Sequence, residues 1–137
     1  METLINIDVP DLKAAIEFYQ RATGLQLCRL LFEGTVAELR GASMRVLLLE
    51  KEARSPSVPG ASLSRDYGRH WTPIHLDFVV PDLDQATAKA IAAGAKLEGT
   101  IQTFVWGRQA CLSDPFGHGF CLVQWRGHGY DEVEHRV

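Results

Sequence analysis

Two stretches of the chain repeat one order of apolar and polar positions. Ile5-Asn6-Ile7-Asp8 alternates apolar and polar side chains, and Leu76-Asp77-Phe78-Val79 follows a similar pattern. Each reads as a short strand with two unlike faces. Each runs into the same four residues, Val9-Pro10-Asp11-Leu12 and Val80-Pro81-Asp82-Leu83, at an offset of 71 residues from Val9 to Val80. Proline has no N–H for a sheet ladder and stops the strand. Beyond it, Leu12, Ala15, Ile16 and Tyr19 stand at the i, i+3, i+4, i+7 spacing of one buried helix stripe. Leu83, Ala86 and Ala90 do the same in the second copy. Asp11 and Asp82 are predicted N-caps, and Gly24 and Gly94 predicted stops.

Strand-like runs follow each helix. The first set is Leu25–Phe32, a turn at Glu33-Gly34, Thr35–Leu39 and Met44–Leu49. The second is Lys96–Gln102, Gln109–Leu112 and Phe120–Trp125, the last preceded by the turn Asp114-Pro115-Phe116-Gly117. The order is βαβββ twice. It predicts an α+β fold of two tandem βαβββ modules. The expected divisions are a first module at 1–51, a linker or lid loop at 52–72, a second module at 73–126 and a polar C-terminal tail at 127–137. The Lys51–Thr72 region is rich in Ser, Pro, Gly and charge, as a loop over a cavity mouth would be.

Composition narrows the function classes. With 137 residues, 46% hydrophobic and 23% charged, the chain is long enough for a real core. A net charge of −3 gives no basic footprint for nucleic acid. No apolar run approaches the ~20 residues of a membrane helix. Met1-Glu2-Thr3 begins no basic-then-apolar segment, so no signal peptide is expected. The three cysteines, Cys28, Cys111 and Cys121, form neither a disulfide framework nor a Cys-x-x-Cys motif. Free thiols fit a reducing cytoplasm, the expected location.

In combination, several motifs resemble the vicinal oxygen chelate superfamily, which includes glyoxalase I, extradiol dioxygenases and the fosfomycin and bleomycin resistance proteins. They are the paired Val-Pro-Asp-Leu turns, His75-Leu76-Asp77-Phe78-Val79-Val80, Trp106-Gly107-Arg108 and Asp114-Pro115-Phe116-Gly117-His118. The resemblance covers roughly residues 3–125. It implies half-barrel modules that pair around a small-molecule cavity, and a homodimer. Metal-dependent members carry His or Glu on inward positions of four strands. Carried over, the first position is Leu4, and its repeat mate is His75. The position on the fourth strand falls near Leu48, or at Glu50 after a two-residue register change. The last is Cys121, where metal-dependent relatives have Glu. Leucine donates nothing to a metal, so the expected cofactor is none. The alternative is a divalent ion on Glu50, His75 and Cys121.

His75 is the candidate catalytic or ligand-orienting residue, because imidazole titrates near neutrality. Its other reading is a cavity-wall histidine satisfied by a neighbour such as Asp77. Cys121 is read as a buried hydrophobe or, beside a cation, a reactive thiol. Asn6 and Asp77 are repeat mates that share strand parity with Leu4 and His75. They either orient a ligand or bond to each other across the module junction. Trp106 and Arg108 suit an aromatic or anionic ligand, or form a packed loop. Tyr67, His70 and Trp71 are lid candidates, and His118 reads as a structural turn residue.

Three functional readings remain open. One is a metal-free protein that binds a small, partly hydrophobic or aromatic molecule between the modules. Another is a metal-dependent lyase or dioxygenase with an atypical ligand set. The third is a metal-free enzyme with His75 as acid/base and Asn6 or Asp77 orienting the substrate. None involves nucleic acid or a membrane.

Overall fold

The computed structural model describes residues 1–135. The predicted tail at 127–137 thus falls partly outside the described residues. The first module contains β1 (Leu4–Val9), α1 (Leu12–Thr23), β2 (Gln26–Leu31), β3 (Val36–Arg40) and β4 (Arg45–Glu50). The second contains β5 (Leu76–Val79), α2 (Leu83–Ala93), β6 (Lys96–Leu97), β7 (Gln102–Thr103), β8 (Gly107–Ser113) and β9 (Gly119–Trp125).

Both helices begin and end as the repeat predicts. Asp11 Oδ1 accepts the Ala14 N–H and Asp82 Oδ1 accepts the Gln85 N–H, each at 3.0 Å. Gly24 closes α1 at φ 80° and Gly94 closes α2 at φ 116°, the left-handed region that glycine enters without steric cost. The strand orders correspond: β1-β4-β3-β2 in one sheet and β5-β9-β8-β6 in the other, with β7 also on β8. β1/β4 and β5/β9 are parallel, and the remaining pairs are antiparallel. The expected strand at Lys96–Gln102 is split into β6 and β7. Gly99 lies between them at φ 75°, where extended backbone cannot continue.

Each sheet buries one face beneath its helix. Val9, Leu39, Val46 and Leu48 lie in the core under α1, and Leu83 of α2 lies in the same core with Leu112 and Leu122. Burying such a side chain is worth about 1.5–3 kcal/mol. Phe18 of α1 meets Phe116 and Phe120 edge-on, with ring centres 6.2 and 6.4 Å apart, so one core joins the modules. The opposite sheet faces are more open. They carry Leu4, Asn6, Leu47 and Glu38 in the first module, and Asp77, Cys121 and Cys111 in the second.

This alternation corrects the fourth-strand position. Leu48 is fully buried on the helix side. Glu50 opens α1: its Oε2 accepts the Leu12 N–H at 2.9 Å, satisfying an orphan donor of the first turn. On the open face β4 presents Arg45, Leu47 and Leu49, and Leu47 is the one opposite Asn6 and Glu38. A strand changes faces with every residue, so a shift of one position decides which side chain reaches a site.

The 52–72 segment lies against the module junction. Arg65 Nε donates to Asp8 Oδ2 at 2.7 Å, and the Tyr67 hydroxyl donates to the Lys51 carbonyl at 2.8 Å. Arg69 grips both oxygens of Glu98 at 2.7 Å. The loop passes so close to Gly117 (φ 90°) that a Cβ there would sit 2.4 Å from the Gly68 carbonyl oxygen. Among the described residues, no helix is long and apolar enough to cross a membrane.

Candidate functional site

The parallel β5/β9 register sets Asp77 beside Cys121, and the antiparallel β8/β9 register sets Cys111 on the other side of Cys121. His75, just before β5, reaches the same place. Its Nε2 lies 3.1 Å from Asp77 Oδ1. Ligating atoms of His75, Asp77 and Cys121 all lie within 4.8 Å of one another. Cys121 Sγ is 3.4 Å from Cys111 Sγ. Burial, reinforced by the Cys111 thiol, pushes the Cys121 thiol up to about 12, so it is neutral at physiological pH. It is not poised as a nucleophile, because the thiolate is the reactive form.

This cluster lies between clefts. One, of about 280 Å³, is lined by His75, Cys111 and Cys121 together with His70 and Trp71 of the linker. A second, of about 520 Å³, follows the module junction and is lined by Asn6, Ile7, Ile74, His75, Phe78 and His118, among others. Both are of small-molecule scale. His70 and His75 belong to both walls.

The candidates separate accordingly. His75, Asp77 and Cys121 converge, and Asn6 shares the junction cleft with His75. Among the described residues, no hydrogen bond joins Asn6 to Asp77. Glu50 is committed to α1 and is not part of the cluster. Arg108 is also drawn elsewhere, with both of its terminal nitrogens 2.9 Å from Asp84 oxygens at the start of α2. Trp106 stacks on Phe104, with ring centres 5.1 Å apart and planes 4° apart, beside Trp125 and Tyr130. Neither Trp106 nor Arg108 lines the two clefts, so the structure does not place them with His75. Of the lid candidates, His70 and Trp71 line a cleft wall, whereas Tyr67 packs its ring edge-on to His118.

Two arrangements have little signature in the sequence. On the open face of β3, Glu38 is only 1% exposed. Its oxygens meet Arg29 Nε at 2.8 Å and Arg40 Nε at 2.6 Å, with Arg45 3.8 Å away. The Arg29 hydrogen bond, helped by Arg40, holds the carboxyl below its usual range against the opposing effect of burial. Its only sequence sign is a charged residue inside an apolar strand. The second arrangement joins His70 to His118, which is 48 residues further along the chain.

The comparisons agree with this geometry. A family model described as "Glyoxalase-like domain" matches residues 4–123. The chain belongs to the glyoxalase-like family. It thereby falls within the vicinal oxygen chelate superfamily. An uncharacterised protein of Mycobacterium tuberculosis is 29% identical over 133 residues, covering 92% of this chain and 76% of that protein. Among solved structures, the fosfomycin resistance protein FosX of Listeria monocytogenes superposes with a TM-score of 0.72 at 17% identity, covering 98% of each chain. TnmS3, described as an antibiotic binding protein from a Streptomyces species, superposes with a TM-score of 0.65 at 25% identity, covering 92% of this chain and 96% of that one.

For a glyoxalase-like chain, the question is whether the residues suit a metal. The second module offers an imidazole, a carboxylate and a thiol in one place, a donor set that zinc-class ions accept. At the corresponding positions the first module offers Leu4 and Leu47, neither of which is a donor, and the Glu38 carboxylate on that face is held by Arg29 and Arg40. Such a cation would therefore rest on His75, Asp77 and Cys121 of one module.

Proposed function

We propose that this glyoxalase-like chain binds a small, partly hydrophobic or aromatic molecule in the junction cleft, without a metal. The observation that carries the reading is His75, which lines the junction cleft with Asn6 among Ile5, Ile7, Ile74 and Phe78 and has its Nε2 3.1 Å from Asp77 Oδ1 behind it. A few polar groups on an apolar wall fix a ligand's orientation while the rest supplies contact area. The imidazole has a carboxylate partner in Asp77, which fixes the ring's orientation toward a ligand without help from an ion. The likeness to TnmS3, an antibiotic binding protein by its description, supports the same reading.

One observation favours a second reading. Three donors within 4.8 Å are as many protein ligands as catalytic zinc sites use. An enzyme with an open-sided ion on His75, Asp77 and Cys121 would polarise a substrate oxygen. A ligand and metal screen by thermal shift separates the two, because a native-state binder raises stability by mass action. The binding reading expects stabilisation by aromatic or hydrophobic compounds that survives chelator and weakens in His75→Ala and Asp77→Asn. A stoichiometric divalent ion lost with His75→Ala would overturn it in favour of the second.

We also propose a homodimer. Leu4 and Val79 stand 44% and 54% exposed on the open sheet faces, where a second copy would cover them. Light scattering on the purified chain reads this directly, and a monomer across the micromolar range would remove the proposal.

A further inference from the structure

His70 comes from the linker and His118 from the turn before β9, and their rings cross at 83°. His118 Nδ1 lies 3.2 Å from His70 Nε2. The outer nitrogens are both engaged with the main chain. His118 Nε2 is 2.7 Å from the Asp8 carbonyl oxygen, and His70 Nδ1 is 3.0 Å from the Gly68 carbonyl oxygen. A carbonyl oxygen only accepts, so each outer nitrogen must carry the hydrogen. In the neutral rings both inner nitrogens then present lone pairs. Two lone pairs face each other across 3.2 Å, an arrangement that is repulsive unless an electrophile stands between them.

That electrophile is either a proton or a metal cation, and the geometry suits the cation. Metal-binding histidines typically donate the second N–H to a carbonyl or carboxylate, which fixes tautomer and ring orientation. Both rings here do so. Two nitrogens bound at ~2.0–2.1 Å with a tetrahedral angle between them are about 3.3–3.4 Å apart. The observed 3.2 Å is close to that bite. The ring of Tyr67 packs edge-on to His118, and the close passage of Gly68 over Gly117 holds His70 near its partner. Both imidazoles line the junction cleft, which leaves room for other ligands on the ion.

We propose that His70 and His118 chelate a zinc-class divalent ion at the module junction, at a site separate from His75, Asp77 and Cys121. Its remaining positions are filled by water or by an oxygen of a molecule in the cleft. Its donors come from the linker and the turn and not from the His75 cluster, but they line the same junction cleft, so an ion there would stand beside the proposed ligand.

The test uses the full chain carrying His75→Ala and Cys121→Ser, which removes the other donor cluster. Zinc is titrated into the chelator-treated protein by calorimetry, and imidazole nitrogen resonances are followed by NMR. The expected result is one equivalent of zinc, with shifts at His70 Nε2 and His118 Nδ1. His70→Gln should weaken binding by about tenfold or more. His118→Gln should do the same, and His70→Gln is the safer variant for folding because His70 sits in a loop. Failure to bind at millimolar zinc would overturn the proposal. So would binding that neither substitution weakens.

Discussion

The Tyr19 hydroxyl donates to Asp114 Oδ2 at 2.5 Å, tying α1 of the first module to the Asp-Pro-Phe-Gly-His turn of the second. Both residues are buried, at 2% and 6% exposure. Asp114 Oδ1 meanwhile accepts the N–H groups of Phe116 and His118, each at 2.8 Å. One carboxylate thus shapes the turn and anchors it to the other module. Burial and the neighbouring carboxylate raise the Tyr19 hydroxyl well above its ordinary value, so it remains a donor. Tyr19→Phe leaves a buried carboxylate oxygen without its donor, and hydrogen bonds to charged groups are worth about 1.5–3 kcal/mol. We expect a loss of about 2 kcal/mol in urea unfolding. Asp114→Asn, which keeps the turn's acceptor, should cost less than Asp114→Ala. Equal losses in the two would show that the turn bonds contribute little.

Glu38 predicts a pH dependence. Its folded pKa lies below the ordinary 4.5 because Arg29 and Arg40 bond the charged form. A depressed carboxyl contributes stability that is present above the unfolded pKa and is lost as pH falls through the folded one. Glu38→Gln abolishes that titration. The gap between wild type and variant should therefore be widest near neutrality and should close below about pH 4.5, measured as unfolding midpoints across pH. A gap independent of pH would mean that the substitution acts through packing alone.

Local features were legible in the chain, and those that depend on long-range crossings were not. Asp11 and Asp82 bond within three residues of themselves, and Gly24 and Gly94 need only their own φ, so the repeat carried both helices. That Asp77 lies beside His75 was legible because parity with His75 is a property of one strand. The reach of Glu50 was not, because its partner, the Leu12 N–H, is 38 residues away and the face of β4 turns on a single residue. Arg108 likewise reads as a free cation until α2 brings Asp84 to it. The His70–His118 pair needs the linker laid across the junction, which spacing alone does not specify.

That crossing depends on Gly117. A Cβ there would lie 2.4 Å from the Gly68 carbonyl oxygen and 2.7 Å from that of Tyr67, at a φ of 90° that other residues rarely adopt. Gly117→Ala should cost roughly 1–3 kcal/mol in backbone strain. It should also lift the linker from the junction. Limited proteolysis reads the second effect, with faster cleavage within 52–72 than in wild type. Loss of stability with unchanged cleavage would mean that the turn, rather than the loop, gives way.

Cys111 and Cys121 are cross-strand partners, and their position in the ladder decides what oxidation does. The Asp114 N–H bonds to the His118 carbonyl and the Arg126 N–H to the Trp106 carbonyl, so bonded pairs fall at every second residue between them. The Cys111/Cys121 pair therefore occupies a non-hydrogen-bonded position, where Cα atoms approach to about 4.5 Å and side chains are closest. That spacing lies within the range a disulfide spans. Diamide, a two-electron thiol oxidant, should join the two sulfurs, with the two thiol protons and two electrons passing to the diamide, which becomes its hydrazine. One of the three thiols, Cys28, should remain free. Reaction should be slow near neutrality, since Cys121 titrates only near 12, and should quicken with pH. Thiol counting before and after oxidation measures this, with Cys111→Ser as control. If the bond forms, it ties up the Cys121 sulfur beside His75 and Asp77, and ligand binding measured in both states shows whether the site needs a free thiol. Retention of all three thiols after prolonged oxidation at high pH would show that the pair is held apart by the packing of β8 on β9.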